Sequence, residues 1–224
     1  SVYTVFIDTV TNLDISGTYI SDLTGIEDFT ALTYLACPDN LLNSLDVSNN
    51  TALTYLWCAH NQLTSLDVSN NTALTYLLCQ ANDLTSLDVS NNTALTYLDC
   101  HDNLLNSLDV SQNTALTTLS CYENQLTTLD VRNGNNTNFT AFYSVNNPNL
   151  TCIDVDDFQY SLLNWTDIDP QHYFSNNCNP SAIREHTTNK ELLKITDLLG
   201  RETKQTNQPL FYIYDDGTVE KRIV

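Results

Sequence analysis

Residues 53–73 read LTYLWCAHNQLTSLDVSNNTA, and residues 74–94 read LTYLLCQANDLTSLDVSNNTA. The period of 21 extends well beyond these two units. Leu32, Leu53, Leu74, Leu95 and Leu116 keep it, as do Cys37, Cys58, Cys79, Cys100 and Cys121. So do Asn40, Asn61, Asn82, Asn103 and Asn124, and Asp46, Asp67, Asp88, Asp109 and Asp130. A fixed period of this length is the signature of a solenoid. Each unit carries two short alternating stretches, LTYLxC and LTSLDV, and neither can bury its apolar side alone. Stacked at the ~4.8 Å strand spacing, successive coils are expected to bury Leu, Leu, Cys, Leu, Leu, Val and Ala in continuous ladders. The first stretch predicts a parallel sheet on one face. The second lies on the opposite face and is too short for a helix.

The remaining features fit this frame. The Asn at the ninth position of each unit is expected to point inward and bond the turn backbone, with Thr18 in its place in the first coil and Asn147 continuing the row in the last. The chain has 224 residues, 42% of them apolar, enough for a sizeable core. It contains no apolar run near the ~20 residues that a membrane helix needs. Residue 1 is Ser and no signal-peptide core follows it, which reads as a processed or trimmed chain. The net charge is −19, and residues 1–180 contain one basic residue, Arg132. Such a body repels phosphate backbones and anionic membrane surfaces, and it suits neutral or cationic partners.

The unit resembles the leucine-rich repeat, L-x-x-L-x-L-x-x-N/C-x-L, with Cys in the third apolar slot. Its wording is similar to that of secreted leucine-rich-repeat proteins of Bacteroidetes. The resemblance covers residues 10–178, from a divergent first coil at Val10–Leu23 to a last coil at Phe139–Val155, which follows a two-residue insertion around Asn133–Asn138. It implies a β-rich, right-handed solenoid with a parallel sheet on one face, little α-helix, and a small C-terminal β-unit. The expected divisions are an N-terminal cap and first coil at 1–31, regular coils at 32–155, a C-terminal cap at 156–180 and a sorting domain at 181–224. Ser1–Thr9 is shorter than the usual acidic helical cap, so either a strand closes that end or the chain starts inside the cap.

The five ladder cysteines are read as buried thiols acting as small hydrophobes. A metal stack is the alternative, weakened by the lack of further ligands at suitable spacing within a coil. Cys152 falls at the outward Ser position of LTSLDV. The segment from Cys152 to Cys178 has lost the repeat and resembles a C-terminal cap, in which Phe158, Tyr160, Leu162, Leu163 and Trp165 could cover the last coil. A Cys152–Cys178 disulfide is expected, contributing about 3 kcal/mol and implying an oxidising compartment.

From about Arg184 the composition changes, and Asp-Asp-Gly-Thr at 215–218 between alternating stretches predicts a hairpin. This tail resembles the C-terminal sorting domain of the type IX secretion system, through the matching segments Asp197–Arg201, Tyr212–Gly217 and Glu220–Arg222. In that resemblance Asp197, Gly200, Arg201, Asp216, Gly217 and Lys221 carry the signal. The export machinery becomes an expected partner, and the location extracellular or on the outer surface.

No catalytic, phosphate-binding or metal constellation is implied, and the expectation is a binding protein rather than an enzyme. The Asp row is expected to hold turn N–H groups. Calcium along Asp46, Asp67, Asp88, Asp109 and Asp130 is the sharper reading. The third, fifth, seventh and eighth coil positions are expected to face solvent off the strand face. They supply the candidate ligand-binding residues Tyr34, Tyr55, Trp57, His60, Tyr76, Tyr97, Asp99, His101 and Tyr122. An exposed aromatic stripe favours recognition, while sheet packing alone also accounts for the tyrosines. The partner is read as a protein at a cell surface, with a polysaccharide stacked on the Tyr/Trp stripe as the alternative. Ice or mineral contact through the Thr row or the Asp row is a weaker third, because bulky Tyr interleaves the Thr row.

Overall fold

The computed structural model describes residues 4–178 and three tail segments, 192–196, 209–214 and 219–223. The chain divides into two compact units, Ser1–Cys178 and Asn179–Val224. The first unit is the expected solenoid. Its strands are β1 (Asn12–Asp14), β2 (Tyr34–Ala36), β3 (Tyr55–Trp57), β4 (Tyr76–Leu78), β5 (Tyr97–Asp99), β6 (Ser107–Asp109), β7 (Thr118–Ser120), β8 (Thr128–Asp130), β9 (Ala141–Tyr143), β10 (Cys152–Asp154) and β11 (Tyr173–Ser175). One parallel sheet runs β1-β2-β3-β4-β5-β7-β9, and a second runs β11-β10-β8-β6. The 21-residue spacing sets the register of the first sheet, in which Tyr34, Tyr55, Tyr76, Tyr97 and Thr118 are consecutive partners. Between Thr118 and Ala141 the step is longer, and a 3-10 turn at Asn136–Asn138 absorbs the extra residues.

The core is the set of inward columns. Leu32, Leu35, Cys37, Leu42 and Val47 are fully buried, as are their equivalents in the next four coils. The Ala that closes each unit was expected to join them, but Ala52, Ala94 and Ala115 are half-exposed and Ala73 is exposed. The inward place belongs instead to the Asn two residues earlier. Asn50, Asn71, Asn92 and Asn113 are completely buried, and each ties its coil to the one before. The Asn71 amide donates to Val47 O at 3.0 Å and Asn50 O at 2.9 Å. Their Oδ1 atoms are enclosed without a partner.

The ninth-position row behaves as its chemistry demands. Asn82 Oδ1 accepts from the Leu63 N–H at 3.0 Å, and Nδ2 donates to Cys58 O, Cys79 O and Gln80 O. One side chain thus satisfies turn carbonyls of two coils that no ladder reaches. Thr18 donates to Ile15 O in the first coil. Asn147 accepts from Leu126 N and donates to Cys121 O and Ser144 O in the last. A third row, Thr33, Thr54, Thr75, Thr96 and Thr117, donates each hydroxyl to a carbonyl of the preceding coil. Each hydroxyl thus adds one more bond between successive coils of the sheet.

The two ends are closed in different ways. The chain enters through a 3-10 segment, Thr4–Thr9, rather than a capping strand. At the other end a seven-residue helix, α1 (Phe158–Asn164), is capped by the Asp157 carboxylate, which accepts from Gln159 N and Tyr160 N. Trp165 covers the last coil. It is buried, stacks on Phe142 at 4.2 Å and meets Phe139 and Phe174. Phe158, Leu162 and Leu163 face solvent, and Leu163 is 79% exposed. The short helix meets the stack with one side, so Trp165, with the half-buried Tyr160 bonded to Thr137 O, does the covering that five side chains were expected to share. Cys152 is bonded to Cys178. It holds the register place of Thr128, yet it is buried, because the chain returns across it to form the bridge.

The second unit contains β12 (Leu192–Thr196), β13 (Pro209–Tyr214) and β14 (Val219–Ile223), an antiparallel sheet in that order. Lys221 lies in β14 opposite Phe211. Asp197, Gly200, Arg201, Asp216 and Gly217 fall outside the described residues.

Two substitutions separate the roles of the inward polar groups. Asn82→Ala removes four hydrogen bonds and leaves buried turn groups unpaired, so it is expected to cost about 3 kcal/mol or more. Ser144 continues the cysteine column with a buried hydroxyl that has no partner. Ser144→Ala is therefore expected to gain about 1 kcal/mol. Denaturant titration of both variants measures the two opposite signs.

Candidate functional site

The outward face of the seven-stranded sheet brings most of the candidate residues together. Its side chains alternate with the buried leucines, so positions 3, 5 and 7 of each coil stand on one surface. The four tyrosines form a continuous stack. Ring centroids are 4.6 Å apart for Tyr34–Tyr55, 5.8 Å for Tyr55–Tyr76 and 5.6 Å for Tyr76–Tyr97, at interplanar angles of 14°, 30° and 21°. The faces of the inner rings are therefore turned to one another, leaving edges and hydroxyls for a partner. Tyr76 is 43% exposed and the other three are half-buried. None of the four phenol oxygens is bonded to another group among the described residues. Burial raises the Tyr55 and Tyr97 phenols above the ordinary value, so these hydroxyls are neutral donors and acceptors at pH 7.

A second grouping lies at β5 and β7. His101 Nδ1 is 2.6 Å from Asp99 Oδ1, and the His101 ring stacks on Tyr122 at 4.1 Å and 11°. Asp99 was expected at the surface, but it is buried, with His101 against its carboxylate. Ala36, Ser120, Pro38 and Ala59 were expected to face solvent from positions 5 and 7, and they are buried as well. They are small and stand among larger neighbours, Ala36 beside Trp57 and Ser120 beside Tyr143 in register. The usable face is thus narrower than an alternation rule alone implies. Trp57 is half-buried, with its indole N–H enclosed and unpaired, and so is the Gln80 carboxamide oxygen on the next coil.

His60 stands apart, exposed at the rim. It belongs to an eighth-position row in the left-handed region, with Asp39 at φ 54°, His60 at 51°, Ala81 at 52°, Asp102 at 51° and Glu123 at 52°. The repeat showed these residues varying, but nothing in the pattern revealed a φ that L-residues other than Asn and Asp seldom adopt.

The Asp row of the opposite face has a different character. Ser48, Ser69, Ser90 and Ser111 each donate a backbone N–H to the Asp two residues earlier, at 2.8 to 3.0 Å. Asp130 instead receives the Arg132 guanidinium and backbone N–H, and Arg132 also reaches Asp154 at 3.6 Å. Among the described residues no group of three His, Cys, Asp or Glu is placed to hold a metal ion. The ladder thiols are buried and unbonded to one another, and desolvation pushes Cys37 and Cys121 up to about 12. They remain protonated and inert at neutral pH.

The comparisons with known proteins match this architecture. The functional domain of InlJ from Listeria monocytogenes, which includes a cysteine ladder, superposes with a TM-score of 0.55 at 37% identity. The match covers 66% of this chain and 44% of that one. A leucine-rich-repeat protein of Leptospira interrogans matches with a TM-score of 0.59 at 18% identity, over 75% of this chain and 55% of that one. The chain thus spans about half the length of these solved structures. No family model matches the chain, nor does any curated protein. The fold is that of a leucine-rich-repeat solenoid.

The Ser N–H and hydroxyl groups hold the Asp46, Asp67 and Asp88 carboxyls below the ordinary carboxylate range. A lowered folded pKa means that each interaction is fully present above the unfolded value of about 3.9 and is lost as pH falls through the lower folded value. Carbon-13 titration is expected to place all three below that value. Ser69→Ala is expected to raise Asp67 and leave Asp14 unmoved.

Proposed function

We propose that this chain is a secreted or cell-surface binding protein that docks a protein partner on the strand face of its solenoid, in protein–protein interaction or adhesion. The observation that carries the reading is the unpartnered tyrosine stack with its neighbours Trp57 and His101–Tyr122. It is a rigid surface of large side chains with free hydroxyls, set on a framework that needs none of them for closure. Aromatic anchors with polar tips are the residue types that dominate protein recognition. The chemistry offered is binding without turnover.

The glycan reading is weaker for a geometric reason. Sugar rings stack on open aromatic faces, whereas the faces of Tyr55 and Tyr76 are occupied by their neighbours. The Cys152–Cys178 bridge supports an oxidising, extracytoplasmic setting. No described helix is long and apolar enough to cross a membrane. The resemblance of the tail to a type IX sorting domain supports export by that route, with the export machinery as a second partner. Fusion of residues 181–224 to a reporter in a type IX-competent cell is expected to direct the reporter to the surface, and retention inside the cell rejects that route.

The whole chain, probed against parallel arrays of surface-protein ectodomains and of polysaccharides, is expected to bind an ectodomain saturably. Tyr55→Ala/Trp57→Ala is expected to weaken that binding by about ten-fold or more, the loss of roughly one anchor. Binding confined to the polysaccharides, and abolished by the same variant, establishes the glycan reading instead.

A further inference from the structure

The seven-stranded sheet ends in a single bridge. Beyond β9 the chain makes one further pass, but only Asp167 joins the sheet, paired with Tyr143, and the Ser144 N–H donates to Asp167 O at 3.0 Å. Between β9 and α1 this leaves a cavity of about 220 Å³, bordered by Thr140, Tyr143, Tyr160, Asn164, Trp165 and Asp167 among others. Several of its groups are unengaged. The Tyr143 hydroxyl, the Asn164 carboxamide oxygen and the Asp167 carboxylate make no hydrogen bond or ion pair with another described residue, and all three residues are exposed. Neither the Tyr143 nor the Tyr160 ring stacks on another aromatic ring among the described residues. Trp165 is 5% exposed, and its indole N–H is enclosed without a partner.

We infer that this cavity is a binding site for one neutral sugar ring, a pyranose taken free or as the end residue of a longer glycan. It is a second site, independent of the strand-face reading. The lining selects the ligand by its chemistry. An anion would meet Asp167 with no cation to offset it, since Arg132, the single Lys or Arg of residues 1–180, is held by Asp130 and Asp154. A purely apolar group would cover the Asp167 and Asn164 oxygens without bonding them, which is costly. A cation suits Asp167 and the tyrosines but has nothing to accept the Trp165 N–H. A sugar hydroxyl both donates and accepts. One polyhydroxylated ring can therefore donate to Asp167 and Asn164, accept from Trp165, and lay its C–H face against a tyrosine. In the four-tyrosine stack the inner ring faces are taken by neighbours, whereas those of Tyr143 and Tyr160 meet no other ring. The volume is below the ~300 Å³ at which pockets for drug-sized ligands begin, so the site takes one ring rather than a chain.

The test uses the full chain with nitrogen-15 in its tryptophans. The chain has two, so it gives two indole N–H resonances, and Trp57→Phe identifies that of Trp165. The probes are methyl α-mannopyranoside, methyl β-glucopyranoside and methyl N-acetyl-β-glucosaminide, with cyclohexanol and tetramethylammonium as controls. The expected result is a saturable shift of the Trp165 resonance with at least one glycoside, while that of Trp57 stays in place. The dissociation constant is expected at about 1 mM, the order for one small ring. Asp167→Ala and Tyr143→Ala are each expected to weaken binding about five-fold or more. Both side chains are exposed and the main-chain bridge between them is retained, so both variants keep the fold. Tyr55→Ala/Trp57→Ala is expected to leave sugar binding unchanged, which separates this site from the strand face. Tighter binding of a disaccharide ending in the same ring assigns the site to a glycan end, and equal binding assigns it to the free sugar. No shift with any glycoside, an equal response to cyclohexanol, or a preference for tetramethylammonium overturns the inference.

Discussion

A solenoid coil has no strand ladder at its turns, so every turn must find hydrogen bonds elsewhere. In this chain the buried asparagine amide provides them. The ninth-position row accepts the N–H of one coil and donates to carbonyls of two, and the Asn50–Asn113 row donates back to the preceding coil. An apolar side chain in either place would strand several backbone groups away from water, at a cost that hydrophobic burial of one residue does not offset. The leucine and cysteine columns supply the driving force. The asparagines make burial of the turns possible at all.

This division has a consequence for the two faces. Because the amides and leucines close each coil from inside, the outward positions are released from the folding problem, and each coil interacts with its neighbours alone. Position 5 can be Ala, Trp, Leu, Asp or Ser within one sheet without disturbing register. The opposite face shows the contrast, since its Asp-x-Ser pairs repeat because each shapes its own turn.

The fold was legible in the sequence because repetition and alternation act together. Leu32 and its equivalents fix the period, and the Thr18 and Asn147 substitutions at the ends could be placed by counting. The tyrosine register followed at once. Three things were hidden. Periodicity marks a column as regular but not as inward, so the Ala of each unit was exchanged for the neighbouring Asn. Alternation gives the direction of a side chain but not its cover, so the burial of Asp99 and Ser120 needed the heights of the residues beside them. In the cap, where no repeat constrains the chain, the apolar composition of Phe158–Trp165 could not show that a two-residue step past the end of the helix buries Trp165 and leaves Leu163 exposed.

The candidate site was legible to the same extent and for the same reason. The rows of aromatic residues could be counted out, but their stacking could not, and the stacking changes what they can bind. An isolated surface tyrosine offers a face, and a face suits a sugar or a cation above its plane. Four tyrosines at strand spacing turn those faces to one another and offer edges and hydroxyls.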